Sequence, residues 1–107
     1  MTATAHPRRF RRLPTAEVAS HRVYVAVTLL SRLLGLALLR PERAGEGLLI
    51  PRCRSVHTFG MRFALDLTFL DARGEAIASR AAIPRRRVVR QPGATAVLEV
   101  PAAKARP

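Results

Sequence analysis

Cys53, Ser55 and His57 alternate through the stretch from Arg52 to Phe63, and on an extended chain alternate residues share one face. Arg52, Arg54 and Val56 then take the other. A thiol, a hydroxyl and an imidazole on one face suggest acyl transfer, in which a base removes the proton of a nucleophile. Asp66, on the following strand, would orient His57 and complete a Cys53, His57, Asp66 set. Spacing argues against this: alternate Cα atoms on a strand stand about 7 Å apart, beyond hydrogen-bond reach for short side chains, and nothing in the chain marks an oxyanion hole. The same three side chains are of metal-ligand type. No second Cys or His pair lies in the body of the chain, however, His6 and His21 being near its N-terminal arm, and a histidine hydrogen-bonded inside a polar pocket is the ordinary outcome. The residues therefore lean toward a noncatalytic protein, with no catalytic group, metal or cofactor assigned.

Gly60 lies between Phe59 and Met61 and permits a bulge or a close approach of backbone. Core packing is the default for those two side chains. The functional alternative is a shallow apolar pocket with a polar rim, giving an expected ligand-binding site of Ser55, His57, Phe59 and Met61 for a small molecule or a protein partner. A charge beside a small core needs a partner, so Arg32 is expected to pair with Asp66 or Glu99 across a helix and sheet interface.

The net charge is +12, from 18 Arg and one Lys against seven acids. Most of the excess sits at the two ends, in Arg8, Arg9, Arg11 and Arg12 and in Arg85, Arg86, Arg87 and Arg90. Clustered basic charge attracts phosphate backbones or acidic membrane surfaces. With no Trp and 5% aromatic residues, the stacking groups of nucleic-acid modules are missing, so a solvated basic surface outweighs a polyanion site, which stays as the alternative function. One cysteine rules out an intrachain disulfide.

The elements that would position these residues read as one β-rich domain over 22–101, preceded by a basic flexible arm over 1–21 and followed by a tail over 102–107. Val23, Val25 and Val27 alternate as a first strand. Thr28 then caps a helix whose Leu30, Leu33, Leu34 and Leu38 lie on one side, ending before Pro41; Gly35 inside it suits a close approach of helix to sheet. Leu48 to Ile50 is a short buried strand. Leu65 to Leu70 and Glu75 to Ile83 form a hairpin about the Asp71–Gly74 turn, Val88-Val89 adds a short strand, and Ala96 to Val100 supplies the last. Arg32 breaks the apolar run after Val23, and the run is shorter than the roughly 20 residues a bilayer requires. A cytoplasmic protein without a membrane span is expected.

Arg32-Leu33-Leu34-Gly35, Gly45 to Ile50, the run from Cys53 to Phe63, Leu65-Asp66, Phe69-Leu70-Asp71 with Gly74, and Val97-Leu98-Glu99-Val100 follow one another in this order. In this ordered set the chain resembles the domain of unknown function 192 family over about residues 22 to 101. The resemblance implies a mainly β (α+β) fold, a small antiparallel sandwich or partly open barrel with one short helix after the first strand, and brings no known activity.

Overall fold

Leu65, Leu67 and Phe69 alternate with Asp66 and Thr68, and in the computed structural model, which describes Phe10 and residues 13–40 and 44–102, they form the buried side of an inner strand. The elements run β1 (Thr15–Val18), β2 (His21–Val25), α1 (Leu29–Leu34), β3 (Leu48–Pro51), β4 (Ser55–His57), β5 (Leu65–Leu70), β6 (Ala76–Ile83), β7 (Val88–Arg90) and β8 (Ala96–Pro101). Six strands make one open sheet in the order β1-β2-β3-β8-β5-β6, and β4 pairs with β7 as a small second sheet. The pairings are antiparallel except that of β2 with β3. The fold is thus mainly β with one short helix, and the large sheet does not close into a barrel. Among the described residues no helix is long and apolar enough to cross a membrane.

Alternation divides the core between the two faces of the sheet. Leu48, Ile50, Leu65, Leu67, Phe69 and Val97 face the larger cluster, which Leu36, Val56, Met61 and Val89 complete from outside the sheet. Val23, Leu98 and Val100 pack on the other face, with Val18 and Leu49 beside them. The β5–β6 hairpin closes as its turn residues dictate: the Gly74 N–H donates to the Asp71 carbonyl at 3.0 Å, and Asp71 Oδ1 accepts from the N–H groups of Arg73 and Glu75.

Three expectations need correction. The flexible arm over 1–21 is too long, because Thr15–Val18 pairs with β2 and both Phe10 and Leu13 are buried in the larger cluster. Phe10 packs against Tyr24 in a tilted pair with ring centroids 4.9 Å apart. The helix accordingly follows the second strand. The tail begins one residue later than expected, since Ala102 is buried and donates to the Ala64 carbonyl at 3.0 Å. Finally, the leucine stripe faces the wrong way. Thr28 does cap α1, in a reciprocal box with Ser31, but Leu30, Leu33 and Leu38 are exposed while Ser31, Leu36 and Ala37 are buried. The helix stops after six residues at Gly35, whose φ of +55° takes the chain out of helical phase, so a stripe drawn through Leu38 has no helix to lie on.

Candidate ligand cleft

Glu99 stands opposite Leu48 of β3 and Leu67 of β5, so it occupies an inner strand at a position where an apolar side chain would ordinarily enter the core. It is 2% exposed. Two glycines let the chain close over it. A Cβ on Gly35 would come 2.8 Å from Glu99 Oε1, and one on Gly47 would overlap the Glu99 backbone carbonyl oxygen. The close approach of helix end to sheet that Gly35 foreshadows is therefore an approach to this carboxyl. Burial pushes the Glu99 pKa up to about 7 against the opposing effect of a hydrogen bond from the Leu36 backbone. Its Oε1 has no hydrogen-bond partner.

His57 reaches the same region from β4. Its Nε2 lies 2.9 Å from the Leu33 carbonyl at the end of α1; a carbonyl only accepts, so Nε2 carries the proton and the neutral ring keeps Nδ1 as an acceptor. That Nδ1 is buried and unpartnered. Arg32, Gly35, Cys53, Ser55, His57 and Glu99 meet around a small cleft of about 40 Å³, with Ile50 and Val56 on its apolar wall.

The remaining sequence candidates fall out differently. Ser55 is exposed at the rim of the cleft and His57 is half-buried in it. Phe59 is exposed, and Met61 packs in the larger core cluster, so neither lines this cleft and the expected four-residue pocket is not formed as such. Arg32 does not pair with Glu99 or Asp66. Its guanidinium donates to the backbone carbonyls of Pro51 and Arg52, tying α1 to the end of β3, while Asp66 Oδ1 accepts from the Ala82 N–H at 2.7 Å. The catalytic set is not assembled either: the Cys53 thiol donates to the Ser55 carbonyl at 3.2 Å, His57 donates to Leu33, and Asp66 is engaged on β6. Among the described residues no three His, Cys, Asp or Glu side chains gather to hold a metal ion.

Of the arginine clusters, Arg8, Arg9, Arg11 and Arg12 lie outside the described residues. Arg85, Arg86, Arg87 and Arg90 are exposed, and Arg87 folds back on the carbonyls of Arg85 and Arg86. Sequence reasoning missed that the Glu99 carboxyl is buried without an ion-pair partner among the described residues, with one oxygen unbonded, and that Gly35 and Gly47 close over it. The signal is a lone acid inside Val97-Leu98-Glu99-Val100, which pattern alone assigns to an ion pair.

A crystal structure of a protein of unknown function from Novosphingobium aromaticivorans is similar in fold, with a TM-score of 0.62 at 22% identity over 85% of this chain and 73% of the other. No curated protein matches the chain. The model of domain of unknown function 192, described as an uncharacterized ACR, matches residues 12–107, a span that takes in every strand, α1 and all the residues of the cleft, and the chain belongs to that family.

Proposed function

We propose that the protein is a noncatalytic binding module whose cleft receives the hydrogen-bond-donating end of a small ligand, a primary ammonium or primary amide group. One observation carries this reading: two buried atoms able to accept a hydrogen bond, His57 Nδ1 and Glu99 Oε1, are left without a partner on side chains that line one cleft. An unsatisfied buried polar group costs about 1–3 kcal/mol, and a donor entering the cleft recovers part of that cost. The tautomer of His57 is fixed by the Leu33 carbonyl, which leaves an acceptor rather than a donor for the ligand. Binding rather than catalysis is supported by the donors of Cys53 and His57 being spent on backbone carbonyls, with no nucleophile beside a base. The same proposal places the protein in the cytoplasm, in keeping with an apolar run from Val23 to Leu30 that is divided between β2 and the first turn of α1.

The test is a ¹H–¹⁵N titration with methylammonium and with acetamide. Saturable shifts are expected at the amides of Gly35, Leu36, His57 and Glu99, lost when Glu99→Gln and His57→Phe are combined. Absence of saturable shifts at these four amides with both probes refutes the reading.

A further inference from the structure

Leu30, Leu33, Leu38 and Phe59 are each between 51% and 61% exposed, and backbone and ring contacts bring their positions near one another. Leu30 and Leu33 are one turn apart on α1 and share a side. The Leu33 carbonyl holds His57, whose ring centroid lies 6.2 Å from that of Phe59. Leu38 adjoins Gly60, to whose carbonyl its N–H donates at 2.8 Å. Leu38 and Gly60 then share a hollow with Met61, Arg62, Arg85 and Arg86. Three of those six residues are arginines and none is acidic.

The segment that carries Arg85 and Arg86 is held there by Thr58, which is fully buried. Its hydroxyl donates to the Pro84 carbonyl at 2.7 Å and accepts from the Arg87 N–H at 2.8 Å. Its own N–H donates to the Arg87 carbonyl at 2.8 Å, and its carbonyl accepts from the Arg86 N–H at 3.4 Å. Among the described residues the guanidinium groups of Arg62, Arg85 and Arg86 have no hydrogen-bond or ion-pair partner.

We infer that this face docks on an anionic lipid surface, with Leu30, Leu33, Leu38 and Phe59 entering the acyl boundary and Arg62, Arg85 and Arg86 meeting headgroup phosphates. Exposed apolar side chains bordered by arginine are the makeup of an interfacial membrane contact, and a net charge of +12 draws the protein toward negative surfaces at close range. A nucleic acid offers the phosphates but no apolar phase for three leucines. A partner protein would have to bring an acidic rim around its own apolar patch, whereas an anionic bilayer presents both layers in the required order. The inference requires no ligand in the cleft, although Leu33 and His57 border both.

The chain contains no Trp, so Phe59→Trp introduces a single tryptophan on the face, whose emission can be excited apart from that of Tyr24. With vesicles of phosphatidylcholine containing phosphatidylglycerol, its emission is expected to shift to the blue and to be quenched by lipids brominated in the acyl chain; with phosphatidylcholine alone it is expected to do neither. In flotation with the anionic vesicles, Arg85→Gln and Arg86→Gln each weaken binding roughly fivefold, and Leu30→Ser and Leu38→Ser each weaken it roughly tenfold. Binding that survives the leucine replacements, shows no blue shift and is matched by duplex DNA overturns the inference in favor of nucleic-acid binding. Equal binding to neutral and anionic vesicles, or none to either, overturns it outright. Should a leucine variant fail to fold, the Phe59→Trp emission decides alone.

Discussion

The two sides of the segment from α1 to Leu38 invert the usual rule in opposite senses. Toward the sheet it covers a carboxyl, Glu99, where an apolar residue would ordinarily pack. Toward water it carries Leu30, Leu33 and Leu38, where polar residues would ordinarily stand. Of its own leucine stripe only Leu34, partly buried, packs against the core, so hydrophobic burial along that stripe does little to hold this segment down. Polar clamps do more: Arg32 on the carbonyls of Pro51 and Arg52, Leu33 to His57, Leu36 to Glu99 and Leu38 to Gly60, while the Thr28 and Ser31 box closes the start of the helix itself. Its fully buried apolar anchors, Leu36 and Ala37, lie beyond the C-terminal end of the helix. A helix fixed in this way leaves its leucines free for another surface.

The inner side is open to the largest effect. In the unfolded chain Glu99 has its ordinary pKa near 4.5, while in the folded protein burial raises it to about 7. Between those values the folded state holds a proton that the unfolded state has released, so stability declines as pH rises through this window and is fully diminished above it. A gap of this size corresponds to about 3 kcal/mol. Urea midpoints taken at about pH 5 and about pH 8 should differ accordingly for the native protein, and much less for Glu99→Gln; equal slopes in the two proteins would show that the carboxyl is not desolvated.

Gly35→Ala should cost about 2–3 kcal/mol, from a side chain at positive φ and a Cβ 2.8 Å from Glu99 Oε1. Combined with Glu99→Ala, which clears the space, its added cost should drop to the backbone share alone, and the double-mutant cycle measures the difference. Additive costs would mean that Gly35 serves the turn and not the carboxyl.

On the outer side the expected effect is smallest. Leu30→Ser should alter the unfolding free energy by no more than about 0.5 kcal/mol, as for other surface positions, even though a leucine is lost. A larger loss would place Leu30 in the core and erase the contrast between the two sides.

Much of the sheet was legible because its signals are local. Leu65, Leu67 and Phe69 alternate, Asp71–Gly74 supplies the turn, and Val23 and Val25 mark β2. β1 was not legible: Ala16 and Val18 alternate with Thr15 and Glu17 over only four residues, with one small and one larger apolar side chain, and its hairpin turns on Ala19 and Ser20, both at positive φ, without the Asn or Gly that ordinarily announces such a turn. The phase of the leucines was lost because one glycine ended the helix early. At the cleft, the alternating Ser55 and His57 both lie on its lining. The partners of Arg32 and His57 are backbone carbonyls, which carry no sequence signal, and a glutamate in an apolar run invites an ion pair that tertiary geometry did not provide.

Thr58 links what the chain keeps 26 residues apart. Because its hydroxyl and backbone bind both ends of the Pro84 to Arg87 segment, the arginines and the Phe59 turn form one preorganized unit. A surface that meets this unit encounters charge and apolar area in a single event, and the entropy of arranging one beside the other has already been spent in folding the protein rather than at the moment of contact.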